Sequence, residues 1–153
     1  MKAIFAAGCF WGVEEAFSKL KGVKKTSAGY TGGTTKNPSY EDICSNTTGH
    51  TEAIEIYYDP KKISYKELLK TFWAIHDPTT KNRQGLDIGS QYRSAIFYHT
   101  EEQRKEAEES RNEEQNNYKK EIVTEITKAS TFYKAEEYHQ EYNKKHGVSC
   151  RIN

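Results

Sequence analysis

Cys9 is the residue of this chain best placed for covalent chemistry. It stands in Gly8-Cys9-Phe10-Trp11-Gly12, after an apolar run at 2–7 and before Phe10, Val13, Phe17 and Leu20, which recur at helical spacing. A cysteine at such a strand-to-helix junction lies near unpaired helix N–H groups and the positive end of the helix dipole. Both favour the thiolate, which is the nucleophile. Gly8 permits an unusual backbone angle at the same point. The competing reading is a core cysteine on a buried helix, and position alone weighs the two evenly. Glu52 offers an acid. It shares strand parity with Ile54, Ile56 and Tyr58, so a regular strand turns its carboxyl toward the apolar face. An unpaired carboxyl there has a raised pKa and can donate a proton near neutral pH. A Glu52 at a strand end that bends out to water is the alternative.

Other polar side chains gather in two long loops. Tyr30, Tyr40 and Tyr92 lie in or beside them, where hydroxyls can reach a ligand, although each one taken singly reads as packing. Asp87, between Gly85 and Gly89, reads first as a turn residue and second as a polar site residue. Cys44 lies in the Tyr-bearing loop and is expected to be inert. Cys150, three residues from the last residue, belongs to a chain end of the kind that can swing toward Cys9. His50, His76, His99, His139 and His146 show no metal-ligand spacing, so no metal site is expected. A cysteine hydrolase would need one of them beside Cys9. Gly32-Gly33 lacks the Lys-containing continuation of a phosphate loop.

These residues need a frame, and 153 residues suit one domain with one core. Periodicity predicts strands at 2–7, 23–30, 51–58, 92–98 and 121–127. It predicts helices from Phe10 to about Leu20, after Ser64, from Thr100 to about Tyr118, and at 135–146. Ser64…Glu67 and Thr100…Gln103 are capping-box signatures. Loops fill 31–48 and 77–91. The loose alternation suggests an α+β or two-layer α/β domain. With 23 basic and 22 acidic residues, the charge balance points to neither nucleic acid nor an anionic membrane. No apolar run approaches the ~20 residues of a membrane span, and the apolar start is too short for a secretory signal. A cytoplasmic protein is therefore expected, with a monomer as the default.

Seven stretches together resemble class A peptide methionine sulfoxide reductase. They are Gly8-Cys9-Phe10-Trp11-Gly12, Ala28-Gly29-Tyr30-Thr31-Gly32-Gly33, Asn37-Pro38-Ser39-Tyr40, Thr48-Gly49-His50-Thr51-Glu52-Ala53, Phe72-Trp73-Ala74-Ile75-His76-Asp77-Pro78, Gln84-Gly85-Leu86-Asp87 with Gly89-Ser90-Gln91-Tyr92-Arg93-Ser94, and Ala135-Glu136-Glu137-Tyr138-His139-Gln140. They fall in the family's order across nearly the whole chain. The resemblance implies an α+β fold: a two-layer α/β sandwich around a mixed sheet with a ferredoxin-like core, one catalytic domain over 1–153 with a mobile tail at about 147–153. It implies reduction of the S epimer of methionine sulfoxide, free or in oxidised proteins. Cys9 matches the nucleophile, Glu52 the acid, Tyr40 and Tyr92 the sulfoxide-binding hydroxyls, and Asp87 an acidic residue supporting the site. Phe10 and Trp11 match the pocket for the S-methyl group. Cys9 would become a sulfenic acid, Cys150 would resolve it, and thioredoxin or another dithiol would reduce the disulfide, with no metal or organic cofactor. The chain departs from many members in having one tail cysteine rather than two, with Val148-Ser149 and Arg151 around it, and in Ile88 after Asp87.

Overall fold

The structure is a computed structural model that describes residues 1–45 and 48–140. Its elements are β1 (Lys2–Ala7), α1 (Phe10–Ser18), β2 (Val23–Thr31), α2 (Tyr40–Cys44), β3 (Thr51–Tyr58), α3 (Tyr65–Ala74), β4 (Arg83–Gln84), β5 (Asp87–Ile88), β6 (Ser94–Tyr98), α4 (Glu101–Gln115), β7 (Glu125–Lys128) and β8 (Tyr133–Lys134). Six strands form one sheet in the order β7-β6-β1-β3-β2-β8, and β4 and β5 make a separate small hairpin. The β6–β7 pair is parallel and the other pairs are antiparallel, so the large sheet is mixed.

The central strand explains its own sequence. β1 is covered on both faces, so Ala3 to Ala7 is an unbroken apolar run rather than an alternation. Ala3, Phe5 and Ala7 face the helices, while Ile4 and Ala6 face a smaller cluster with Ala53, Ala95 and Phe97, backed by Ala129 and Phe132. Phe5 anchors the helical side. Its ring lies 5.4 Å from Phe17 of α1 and 5.2 Å from Phe72 of α3. Phe10, Val13 and Phe17, spaced three and four apart, are the buried stripe of α1. In β3, Ile54, Ile56 and Tyr58 join the same main cluster, which fixes the face onto which Glu52 also projects. The fold is α+β with helices packed on a mixed sheet.

Both capping signatures form on the donor side: Ser64 Oγ accepts from Glu67 N–H and Thr100 Oγ1 from Gln103 N–H, each at 3.1 Å. The Gln103 side chain instead bridges His99 N–H and the Lys2 carbonyl. The strand expected at 121–127 runs over Glu125–Lys128, the loop expected at 77–91 holds the β4–β5 hairpin, and β8 is an added short strand. Two further segments also differ from the sequence expectation. The loop at 31–48 contains the short helix α2, started by a reciprocal cap between Ser39 and Asp42. The helix expected at 135–146 is, in its described part, a single 3-10 turn at Glu137–His139. The cause is a competing set of hydrogen bonds. Ala135 N–H donates to the Ala28 carbonyl, and the Gln140 side chain accepts from Ala28 N–H and donates to the carbonyls of Ala28 and Ala135. The segment is therefore sewn to β2 instead of coiling on itself. The rest of that expected helix, and the tail, lie outside the described residues.

His76 ties three elements together. Its ring nitrogens contact the Phe72 carbonyl at 2.6 Å and Ser94 Oγ at 2.7 Å, and Ser94 Oγ meets Thr124 Oγ1 at 2.7 Å. Burial pushes its pKa down from 6.5 to about 4, against the Phe72 carbonyl and Asp77, which favour the charged ring. The folded state therefore holds fewer protons here than the unfolded chain. The stability this contributes is present above pH 6.5 and is lost as pH falls through about 4, a loss on the order of 3 kcal/mol. Urea unfolding at a series of pH values reads this loss. His76→Gln should flatten the acid slope, and equal slopes in the two proteins would exclude His76 as its source.

Candidate active site

The junction between β1 and α1 places Cys9. Gly8 turns the chain with φ of +100°, and a side chain there would come within 2.9 Å of Gln84 Cγ. Only glycine suits both the angle and the space. Cys9 is the N-cap of α1: its carbonyl accepts from Val13 N–H, and its side chain makes no cap hydrogen bond. The thiol is thus partly exposed at a helix N-terminus, where negative charge is stabilised.

Glu52 comes to this junction from β3. It is 1% exposed, and its Oε1 accepts the Phe10 N–H at 3.2 Å. That N–H belongs to the first helical residue, one of the donors that a helix leaves unpaired at its start. The Glu52 carboxyl is therefore hydrogen-bonded to the residue next to Cys9. In the sheet, Glu52 is paired with Tyr30 of β2.

Two tyrosines face the same carboxylate. Tyr40 begins α2, and Tyr92 ends a 3-10 turn over Ser90–Tyr92. Burial raises the pKa of both hydroxyls, and the charge of Glu52 raises each further. Asp87 and Cys9 also act on Tyr92, which brings the β4–β5 hairpin to the site. Asp87 is partly buried, and burial alone holds its carboxyl above the ordinary range. Cys44, exposed at the end of α2, reaches Tyr40 by a hydrogen bond and acts on Tyr92 as well. The residue expected to be inert thus lies on the rim of the site. Cys150 lies outside the described residues.

The aromatic pair behind Cys9 divides its work. Phe10 is fully buried, with its ring 5.7 Å from Tyr30, whereas Trp11 is partly exposed. Trp11 donates its indole N–H to His139 Nδ1 at 3.0 Å. Glu136 accepts from the Tyr30 hydroxyl and the Tyr40 N–H, each at 3.2 Å. Sequence reasoning gave Glu136 and His139 no role. Their one signal in the sequence was their place in a matched stretch.

The histidines bear on hydrolase chemistry. His50 is held by Gly33 N–H and the Thr35 carbonyl, and His76 by the contacts described above. His139 gives Nδ1 to Trp11 and, among the described residues, has no hydrogen-bond partner at Nε2. None of these three rings is hydrogen-bonded to Cys9, as the base of a cysteine hydrolase would be. Among the described residues, no group of three or more His, Cys, Asp or Glu is placed to hold a metal, and no helix is long and apolar enough to cross a membrane.

A thiol on the N-cap residue of α1, with a buried acid hydrogen-bonded to the next residue, fits a cysteine-dependent oxidoreductase on this α+β frame. The model of the peptide methionine sulfoxide reductase family matches residues 1–153. The peptide methionine sulfoxide reductase MsrA of Methanothermobacter thermautotrophicus is 58% identical over 146 residues, which cover 94% of this chain and 86% of that relative. The crystal structure of reduced Mxr1 from Saccharomyces cerevisiae matches with a TM-score of 0.94 at 36% identity, over 99% of this chain and 88% of that one. A structure of Mxr1 in complex with Trx2 matches with a TM-score of 0.68 at 29% identity, over 99% and 86% of the two chains. This chain belongs to the peptide methionine sulfoxide reductase family.

Proposed function

We propose that this protein reduces the S epimer of methionine sulfoxide, free or in oxidised proteins, to methionine. The observation that carries the reading is the hydrogen bond from Phe10 N–H to Glu52, which holds a buried acid beside Cys9. A sulfoxide oxygen leaves only when protonated, so a thiolate attacking sulfur needs a proton donor at that oxygen. Glu52 supplies the proton. Tyr40 and Tyr92 keep their own protons, because burial makes them weaker acids, and donate hydrogen bonds to the oxygen. Asp87 supports Tyr92 from the hairpin. Phe10 and Trp11 hold the methyl group by apolar contact. Oxygen passes to Cys9 as a sulfenic acid, and methionine departs.

Cys150 then attacks the sulfenic acid, giving a Cys9–Cys150 disulfide and water. A dithiol donor reduces that bond by exchange. The yeast relative's complex with Trx2 supports thioredoxin as the donor. The cycle uses no resident metal or organic cofactor, and it suits a monomer in a reducing, cytoplasmic compartment. We also read residues 1–153 as one catalytic domain. Its β1-α1-β2-β3-α3-β6 path with central order β6-β1-β3-β2 supports a ferredoxin-like core.

The test is direct. Incubation with a methionine sulfoxide peptide and dithiothreitol should remove one oxygen from the peptide, read by mass spectrometry. An acylated Cys9 would favour a hydrolase, and an unchanged peptide would favour a binding module. Cys150→Ser should keep one reduction per molecule and lose thioredoxin-driven cycling. Persistent cycling in that variant would pass the resolving role to Cys44 or to direct reduction of the sulfenic acid.

A further inference from the structure

His139 is a buried titratable side chain that the reaction leaves unused. It is 1% exposed. Its Nδ1 faces the indole N–H of Trp11, which can only donate, so Nδ1 carries no proton and the neutral ring bears its proton on Nε2. Among the described residues that Nε2 has no hydrogen-bond partner, although burying an unmatched donor is unfavourable. A ring kept at that cost is held by what its other side contacts. It stacks on Trp11 with ring centres 5.7 Å apart and planes 24° apart, and it lies 5.3 Å from Phe10 and 4.5 Å from Tyr40. It thus touches both residues assigned to the methyl pocket and one assigned to the sulfoxide oxygen.

The ring is itself held firmly. Its backbone N–H donates to the Glu136 carbonyl at 2.9 Å, while the Glu136 carboxylate takes Tyr30 of β2 and the backbone of α2. The next residue, Gln140, is sewn to Ala28. Trp11 is partly exposed on the first turn of α1. A mobile indole would give a pocket of variable width.

We propose that His139 is a positioning residue for substrate choice: its neutral ring fixes the Trp11 indole so that the pocket takes a methyl sulfoxide and discriminates against larger alkyl groups. This rests on the sulfoxide-reductase reading. The bond also responds to acid, because a protonated imidazole carries a proton on Nδ1 and cannot accept the indole N–H. Among the described residues, the titratable groups around the ring are Glu136 and Tyr138 of its own segment and Tyr40 of α2, while α1 contributes the uncharged Phe10 and Trp11. Burial holds the ring's pKa below the ordinary imidazole value, and Glu136 opposes this in part. The bond therefore persists at neutral pH and breaks on the acid side.

The experiment compares wild type, His139→Phe, which keeps a stacking ring without an acceptor, and His139→Asn, which keeps an acceptor near the Nδ1 position. In His139→Phe the preference for methionine sulfoxide over ethionine sulfoxide should fall about fivefold. The fall should come through KM, with kcat within about twofold. His139→Asn should recover much of the preference. In protein labelled at tryptophan, the Trp11 indole N–H resonance should move in His139→Phe. In wild type it should titrate with a midpoint below about 6.5. An unchanged preference, an unmoved resonance, or a fall confined to kcat in both variants would overturn the proposal while leaving an active wild type as a reductase. A wild type inert toward both sulfoxides would remove the reductase reading, and this one with it.

Discussion

Cys9→Ser is expected to lower methionine sulfoxide reduction by about 10⁴-fold or more, while the protein folds at least as well as wild type. The two halves of this result have one structural origin. Position 9 is the N-cap of α1, and the cysteine side chain makes no cap hydrogen bond. Serine is a preferred N-cap residue whose oxygen accepts from the second or third N–H of a helix, a gain on the order of 1 kcal/mol. The variant should therefore match or exceed the wild-type melting temperature. Its chemistry fails because a serine hydroxyl is a far weaker acid and nucleophile than a thiol, and because the step requires an atom that can take oxygen from sulfur and later release it as water. The check combines oxygen loss from a sulfoxide peptide with trapping of the sulfenic acid by a carbon nucleophile. Trapping should succeed in Cys150→Ser and fail in Cys9→Ser. Measurable turnover in Cys9→Ser would move the nucleophile to another thiol, with Cys44 the other described one.

Those parts of the molecule that obey local rules were legible in the sequence. β1 and β3 could be read because burial on two faces or one writes a distinct pattern, Ala3–Ala7 without alternation and Ile54-x-Ile56-x-Tyr58 with it. Cys9 and Glu52 could be singled out for the same reason, the first by its place between two patterns and the second by parity within one. The helix α2 escaped because its five residues bury one apolar side chain, Ile43, and its cap uses Asp42 where the familiar signature has Glu or Gln. The segment at 135–140 has the composition of a helix, but the Gln140 side chain claims backbone groups that a helix would need. His139 was unreadable for a related reason. Its partner Trp11 lies 128 residues away, and no periodicity records a contact of that range.

Glu52→Gln is expected to slow the first, single-turnover reduction by about 10²- to 10⁴-fold, with little change in substrate affinity. Glutamine keeps the length and a carbonyl oxygen that can accept the Phe10 N–H, so the contact that positions Glu52 survives the substitution. Only the transferable proton is lost. The tyrosines cannot replace it: Tyr40 and Tyr92 are partly buried, and burial makes their hydroxyls release protons less readily. They remain donors of hydrogen bonds, which accounts for a residual rate above zero. The decisive measurement is the rate of the oxidised-Cys9 burst in the absence of reductant. An undiminished burst in Glu52→Gln would take Glu52 out of the proton path and leave the tyrosines or solvent to protonate the departing oxygen. A slowed burst with an unchanged dissociation constant would place its effect on the transition state alone.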